Sequence, residues 1–304
     1  MKALSFGEIL WDVYEDKKYI GGAPLNFAAH LAKHGDEVYM LSSLGRDESG
    51  ADALEQLKKW NIKTNLISVS DKKQTGCCLI TLDNNSVPSY NLLDDVAYDY
   101  IECDGISDSF NVLYFGTLSL RSEYNYNSLK KLIYHNSFDE IFVDVNIRPP
   151  FYTYETVKFA LENATILKIS LEEMPVIMKL IGEKNGTDYK DFTKELSKSF
   201  KNISLIIVTL GAEGAFALHC NTLQEYFCSA PKTRVKSTVG AGDSFSAAFL
   251  HKYISGTDIQ SSLEYAAHLA GFVVSQYDAV PNYTITQGDC SLIQIGKDEI
   301  NYDL

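Results

Sequence analysis

Short apolar runs alternate with longer amphipathic segments along most of the chain. The runs have the length of buried strands and are clearest at 38–41, 112–115, 141–145, 166–169 and 205–210. Apolar residues three and four positions apart predict helices over 24–34, 50–60, 124–135, 154–163, 189–200, 244–254 and 259–276. Such alternation is typical of βαβ units on a mostly parallel sheet. It predicts a three-layer, doubly wound α/β fold.

Two stretches lack the intervening helix. Residues 12–22 and, more clearly, 76–100 have the pattern of short strands, with a turn sequence at 83–86. Strands joined by a tight turn pair antiparallel. We therefore expect one α/β domain over 1–304 with a small antiparallel β lid at about 12–22 and 76–100. Four apolar side chains make its edge a candidate homodimer surface: Leu79, Leu82, Val87 and Leu92.

Charge and composition exclude some classes of function. The 304 residues include 40 acidic and 27 basic side chains, for a net charge of −13. This charge disfavours nucleic acid and anionic membranes as partners. The N-terminal segment lacks the features of a signal peptide, and no apolar stretch has the length of a membrane span. Six cysteines without a CxxC pair are typical of reduced thiols, so we expect a cytoplasmic protein.

The sharpest chemical signal is the sequence Gly240-Ala241-Gly242-Asp243, which precedes a helix rich in small residues. Small residues let a ligand approach the backbone, and the free N–H groups of a helix start attract anions. A carboxylate beside them can accept a proton from a substrate hydroxyl. Phosphoryl transfer needs both parts. The same residues alone also fit a tight loop with a carboxylate in the first helical turn.

Three other chemistries fit less well. A dinucleotide-binding fingerprint would need a glycine where Phe245 stands, and the preceding segment 231–236 is polar. A Walker A loop is absent from the sequence. His30 and His34 have the spacing of two zinc ligands on a helix, but no HExxH motif accompanies them, so we expect a mixed helix surface there.

The N-terminal region holds groups suited to a polyol. Asp12 follows the first strand region, and Gly21-Gly22 leads into a helix that carries Asn26 in its first turn. Sugar hydroxyls both donate and accept hydrogen bonds, so carboxylate, amide and bare backbone suit them. By themselves these residues fit a strand end and a helix that starts at a proline better than they fit a sugar site.

Two further polar groups follow buried strands. Asp144, Asn146 and Arg148 alternate and can face one side together, at the sheet edge where ligands of α/β proteins collect. Glu172 and Glu173 follow the next strand, and such carboxylates suit hydrated Mg²⁺. Glutamates in a first helical turn also simply complement the helix dipole.

Taken in this order, these segments resemble the ribokinase-like, or PfkB, family of carbohydrate kinases, and the N-terminal half is most similar to fructokinases. The resemblance runs from residue 7 to about residue 281. The motifs that carry it are Gly7-Glu8 with Asp12, Gly21 to Asn26, Gly35, Gly45-Arg46-Asp47, Gly50, Thr75-Gly76, Asp144-x-Asn146-x-Arg148, Thr209-Leu210-Gly211 with Gly214, and Gly240 to Asp243.

The resemblance implies a ribokinase-like sandwich with a β lid, ATP as donor, Mg²⁺ as counter-ion and a sugar hydroxyl as acceptor. It also implies roles for individual residues: Asp243 as catalytic base; Gly240, Ala241 and Gly242 as anion hole; Asp12, Gly21, Gly22, Asn26 and Arg148 at the sugar; Thr209, Gly211 and Gly214 along ATP; and Glu173 at the metal. We expect fructose as substrate and fructose 6-phosphate as product. Ribose, 2-keto-3-deoxygluconate, a similar sugar, or a binding protein with impaired catalysis remain alternatives.

Three positions depart from the family pattern. Ser237 replaces the aspartate associated with a monovalent cation beside the anion hole, which argues against potassium activation. Ser170 replaces the asparagine of the metal motif, so Mg²⁺ would be held through water. Residues 277–280 lack the glycine-alanine pair common near the adenine pocket. The reaction type is therefore predicted more firmly than the nucleotide preference.

Overall fold

The computed structural model describes residues 1–15, 17–82, 88–106, 108–182, 188–285 and 293–294. In chain order the strands are β1 (Lys2–Phe6), β2 (Leu10–Val13), β3 (Lys18–Gly21), β4 (Glu37–Gly45), β5 (Ile67–Ser70), β6 (Gly76–Leu82), β7 (Pro88–Leu92), β8 (Val112–Phe115), β9 (Glu140–Asp144), β10 (Ile166–Ser170), β11 (Leu205–Thr209), β12 (Gly214–His219), β13 (Gln224–Ser229), β14 (Thr284–Ile285) and β15 (Ile293–Gln294). The helices are α1 (Ala23–Lys33), α2 (Glu48–Lys59), α3 (Glu123–His135), α4 (Tyr154–Asn163), α5 (Met174–Ile181), α6 (Tyr189–Ser199), α7 (Ala241–Ile254) and α8 (Ile259–Val273).

The main sheet has nine strands in the order β13-β12-β11-β10-β9-β8-β1-β4-β5. From β11 to β5 every neighbouring pair is parallel, whereas β12 and β13 pair antiparallel at one edge. The predicted, mostly parallel sheet is therefore confirmed. The β12–β13 hairpin was not among the predicted strands, because it lacks the crossover helix on which the βαβ pattern depends.

Helices cover both faces of this sheet. Successive residues of a strand point to opposite faces, so Ala3 packs into one apolar core and Leu4 into the other. The first core includes side chains from α1, α2, α7 and α8, and the second includes side chains from α3, α4, α5 and α6. A fully buried Phe or Leu side chain contributes roughly 1.5–3 kcal/mol, so the two cores stabilise the three-layer arrangement.

Four strands form a separate small sheet in the order β3-β2-β6-β7. The β2–β3 and β6–β7 pairs are antiparallel, as predicted. The β2–β6 pair is parallel, which corrects the prediction of a wholly antiparallel sheet. The physical reason is that β6 returns to β2 through a long crossover across the main sheet, and not through a tight turn.

The expected lid and dimer surface lie on this small sheet. Leu79 is exposed on β6, while the turn at 83–86 and Val87 lie outside the described residues, as does the side chain of Leu82. Closure of a lid and pairing of two copies therefore stay predictions. Among the described residues, no helix combines the length and apolar character that crossing a membrane requires.

Candidate active site

A cleft of about 1360 Å³ lies where the carboxyl end of β9 and the start of α7 approach the small sheet and residues 277–282. This volume exceeds that of typical pockets for one small ligand. Seven residues predicted from the sequence to form the site line this cleft: Asp12, Gly22, Asn26, Arg148, Gly240, Gly242 and Asp243. Chain segments far apart in sequence thus meet in one cleft, as expected at the carboxyl edge of an α/β sheet.

Gly240 is the N-cap of α7 and has a left-handed backbone, with φ of 79°. A Cβ atom at this position would lie 2.5 Å from the carbonyl oxygen of Ala279, so only glycine fits. No side chain in the described part of the chain caps the helix. Ala241 does not line the cleft, and its N–H makes a long hydrogen bond of 3.3 Å to the carbonyl of Thr238. The helix start thus presents backbone donors and a positive dipole end to the cleft.

Asp243 is half-buried on the cleft wall, in the first turn of α7. Its Oδ2 accepts a hydrogen bond of 2.8 Å from Nδ2 of Asn26 on α1. Burial raises the pKa of Asp243 to about 7, and repulsion by Asp144 adds to this effect, while Asn26, Lys168 and Arg148 oppose it. A carboxylate with such a pKa can accept a proton near neutral pH.

Asn26 also carries a free acceptor. Its Oδ1 is buried and has no hydrogen-bond partner among the described residues. A buried amide oxygen without a partner is energetically unfavourable, by about 1–3 kcal/mol. A hydroxyl donor in the cleft would satisfy it, which fits the predicted contact with a sugar.

Asp12 lies on β2, where the small sheet faces the cleft. Burial raises the pKa of its carboxyl, while the charge of Arg148 and a hydrogen bond with the thiol of Cys78 lower it. Asp12 can accept hydrogen bonds from a bound polyol. Gly21 does not line the cleft: a Cβ there would lie 3.1 Å from Oδ2 of Asp12, so this glycine makes room for the carboxylate.

A second carboxyl lies deeper at the same end of the cleft. Glu8 is 3% exposed, and its Oε2 accepts a hydrogen bond of 2.6 Å from Oγ of Ser119. Burial raises the pKa of Glu8. Gly22, with φ of 114°, passes close to this residue, since a Cβ would lie 2.4 Å from the carbonyl oxygen of Glu8. The diglycine therefore allows the helix that carries Asn26 to begin directly over Glu8.

Asp144, Asn146 and Arg148 all line the cleft, as predicted, but not by simple alternation. Asn146 has a left-handed backbone with φ of 44°, which breaks the period of two after β9 ends. Arg148 is exposed and forms no ion pair within the described parts of the chain. Its charge nevertheless acts on Glu8, Asp12 and Asp243.

Lys168 is a site residue that the sequence analysis missed. It lies in β10, is 5% exposed, and donates a hydrogen bond of 2.7 Å from Nζ to Oδ2 of Asp144. Lys168 also lines the cleft. A lysine between Leu167 and Ile169 in a mostly apolar strand is the sequence signal that could have indicated it.

The three residues predicted to lie along ATP do not line the cleft. Thr209 ends β11, and Gly211 and Gly214 form the turn into β12 with φ of 56° and 125°. A Cβ on Gly214 would lie 1.9 Å from the carbonyl oxygen of Cys228. The observed role of these glycines is to make the turn, and their contact with a nucleotide stays a prediction.

Glu173 was the predicted magnesium ligand. Its Oε1 accepts a hydrogen bond of 2.5 Å from the amide of Ile147, and its Oε2 one of 2.7 Å from the amide of Ser170. Glu173 does not line the cleft, and the described residues contain no cluster of three or more metal-ligating side chains. This carboxylate joins the chain segments that follow β9 and end β10. Its role toward magnesium stays a prediction.

The expectation that His30 lies on a mixed helix surface is wrong, because its side chain is fully buried. Its Nε2 lies 2.9 Å from the carbonyl oxygen of Ala279, and its Nδ1 lies 2.7 Å from the hydroxyl of Tyr283. A carbonyl only accepts, so Nε2 carries the proton and Nδ1 accepts from Tyr283. Burial lowers the pKa of His30 to about 3, so the ring is neutral. These two hydrogen bonds of His30 hold the segment 279–283 against α1.

Comparison with known proteins agrees with this arrangement. Residues 2–285 match the model of the pfkB family carbohydrate kinases. The chain is 26% identical to a 5-dehydro-2-deoxygluconokinase of Halalkalibacterium halodurans, over 93% of this chain and 88% of that protein. It is 24% identical to the enzyme of the same name from Bacillus subtilis, over 92% and 88% of the two chains.

Solved structures show the same fold. An uncharacterized sugar kinase from Pyrococcus horikoshii, 25% identical, superposes with a TM-score of 0.76 over 92% of this chain and 94% of that one. A Vibrio cholerae fructokinase with fructose, ADP and calcium bound, 19% identical, gives a TM-score of 0.78 over the same shares. With the family model spanning nearly the whole length and the glycine-rich helix start beside a carboxylate in one cleft, the chain belongs to the pfkB family of carbohydrate kinases.

Proposed function

We propose that this protein transfers the γ-phosphoryl group of ATP to a hydroxyl of a six-carbon sugar or sugar acid. One observation carries the proposal: Asp243, whose pKa is raised to about 7, lies on the cleft wall in the first turn of an uncapped helix. A proton acceptor and donors for a phosphoryl group are therefore adjacent.

The residues support a direct transfer. The Asp243 carboxylate takes the proton of the acceptor hydroxyl while the oxygen bonds to the γ-phosphorus, and the bond to the bridging oxygen of ADP breaks. Backbone N–H groups at the start of α7 stabilise the negative charge on the moving group. Asn26 holds the carboxylate at 2.8 Å and orients it. Magnesium that accompanies ATP would be held mainly by phosphates and water.

Fructose, with fructose 6-phosphate as product, is the first candidate substrate, because the order of motifs in the N-terminal half is most similar to fructokinases. Asp12, Asn26 and Glu8 supply uncharged or anionic acceptors for its hydroxyls.

A sugar acid such as 5-dehydro-2-deoxygluconate is the second candidate. The observation that favours it is Arg148, a guanidinium on the cleft wall that forms no ion pair with the described residues, since guanidinium binds carboxylate in a bidentate manner. The relatives from Halalkalibacterium halodurans and Bacillus subtilis that were compared above carry the corresponding name.

The experiment is a substrate panel followed by one matched pair of variants. Release of ADP is measured with fructose, ribose, 2-keto-3-deoxygluconate and 5-dehydro-2-deoxygluconate. We expect turnover with a six-carbon acceptor and its loss in Asp243→Ala, with binding of that acceptor retained. Asp104→Asn, an exposed site, is the control. Sugar binding without any turnover in the wild-type protein would contradict the proposal and favour a binding protein.

Arg148→Met distinguishes the two candidate substrates. If the substrate is an acid, its KM rises by about tenfold to a hundredfold, as expected for a lost charge-assisted bond. For neutral fructose we expect a change of less than about threefold. Arg234→Met, exposed and outside the cleft, is the matched control.

A further inference from the structure

Lys168 is a buried cation in the wall of the cleft. Lys168 lies on β10, in the middle layer of the fold, and is only 5% exposed. It nevertheless lines the cleft beside the start of α7. Burial of an ammonium group is strongly unfavourable unless nearby groups compensate it. A lysine at such a position needs an explanation beyond packing.

Its ammonium reaches the predicted anion hole. A Cβ atom on Gly242 would lie 3.2 Å from Nζ of Lys168, so the missing side chain of this glycine leaves the ammonium open toward the helix start. Lys168 is also close enough to Asp243 for its charge to act on that carboxyl. The cation, the helix amides and the proposed base therefore surround one place in the cleft.

The hydrogen bonds of Lys168 leave room for a ligand. Nζ donates to Oδ2 of Asp144 at 2.7 Å, which uses one of its three protons. Asp144 is itself buried and also accepts a hydrogen bond of 3.3 Å from Oγ of Ser246. Burial lowers the pKa of Lys168, but the charges of Asp144, Glu173 and Asp243 outweigh this effect and raise it, so the ammonium is charged at neutral pH.

We propose that Lys168 is a catalytic residue whose ammonium contacts the γ-phosphoryl oxygens of ATP and stabilises their charge during transfer. The proposal rests on the phosphoryl transfer proposed above. Lys168 remains protonated throughout, so it moves no proton and forms no covalent bond. A lysine held by a single carboxylate presents a compact positive charge at a fixed place, which suits a charge that develops on transfer.

The first test separates this role from simple neutralisation of Asp144. We expect Lys168→Met to lower kcat by about a hundredfold or more, with a change in sugar KM of less than about threefold. Loss of the lysine alone leaves a buried carboxylate unpaired and can destabilise the fold. The double variant Asp144→Asn with Lys168→Met removes both charges, and its folding is checked by circular dichroism and urea unfolding.

The outcomes of this test differ clearly. The double variant is expected to stay as slow as Lys168→Met, while Asp144→Asn alone loses less than about tenfold in kcat. Recovery of activity in the double variant would mean that Lys168 only neutralises Asp144, and would overturn the proposal. So would an Asp144→Asn variant as slow as Lys168→Met. Lys179→Met, at an exposed position on α5, is the control.

The second test needs no sugar. Calorimetry compares the affinities of wild type and Lys168→Met for ATP and for ADP. We expect the variant to lose at least about tenfold more affinity for ATP than for ADP, because only ATP has the γ-phosphoryl group. Equal losses, or none, would overturn the proposal. If the sugar panel fails, this test still decides the role of Lys168, so the two proposals fail separately.

Discussion

Replacement of Asp243 by asparagine separates two effects of this half-buried carboxyl: its cost to the stability of the fold and its proposed role as a proton acceptor in catalysis. The asparagine has the same shape, and its carbonyl oxygen can still accept the hydrogen bond from Asn26. It cannot ionise, however, and cannot accept a proton from a substrate. We therefore expect a protein that is more stable than wild type at alkaline pH and inactive.

The magnitude follows from the pKa of Asp243. In the unfolded chain this carboxyl ionises near 3.8, and in the folded protein near 7. Folding therefore disfavours the carboxylate, so wild-type stability falls as pH rises from about 3.8 to 7 and the full cost applies above 7. That cost is at most about 4 kcal/mol. The advantage of Asp243→Asn should grow by about 2–3 kcal/mol between pH 5 and pH 8.

Urea unfolding at pH 5 and pH 8 measures this difference, with Asp104→Asn as an exposed control. At pH 8 the Asp243→Asn variant should lose turnover by about a hundredfold to ten-thousandfold. The wild-type kcat/KM should fall about tenfold per pH unit below about pH 7, where the base is protonated. A stability advantage that is equal at both pH values, or wild-type activity that is flat from pH 5.5 to 8, would refute the reasoning.

Three further variants test the surrounding contacts. Asn26→Ala removes the hydrogen bond that lowers the pKa of Asp243, so the acid limb of the pH–rate profile should move to higher pH; an unmoved limb would contradict this. Tyr283→Phe leaves the buried Nδ1 of His30 without a donor and should reduce the free energy of unfolding by about 1–3 kcal/mol in urea titrations. Gly240→Ala forces a side chain onto a left-handed backbone and against the opposite loop, so thermal unfolding should show a loss of at least about 1–3 kcal/mol; a variant as stable as wild type would show that the loop yields.

Local signals in the sequence were sufficient for the fold class. The periods of two and 3.6 residues reflect which side chains each strand or helix buries, so the alternation of strands and helices predicted the parallel sheet with helices on both faces. The small residues before Asp243 likewise predicted an uncapped helix start, because that feature is encoded within a few neighbouring positions. The β12–β13 hairpin escaped prediction because it lacks the crossover helix that marks each strand of a βαβ unit.

The arrangement of the site depended on tertiary structure. Asn26 and Asp243 lie 217 positions apart, and only the packing of α1 against α7 brings the amide within 2.8 Å of the carboxylate. The raised pKa of Asp243 arises from the same packing, since burial is its first cause. Only the fold shows that the carboxylate of Glu173 accepts hydrogen bonds from the backbone amides of Ile147 and Ser170.

The sequence by itself determined the layered architecture and which segments carry polar groups at strand ends, because both follow from the pattern of neighbouring side chains. Tertiary structure alone decided that Lys168 lies beneath the helix start, that β6 runs parallel to β2, and that the predicted nucleotide glycines form a turn outside the cleft. The physical reason is that strand order and packing set the distances between side chains remote in sequence. Local periodicity does not encode those distances.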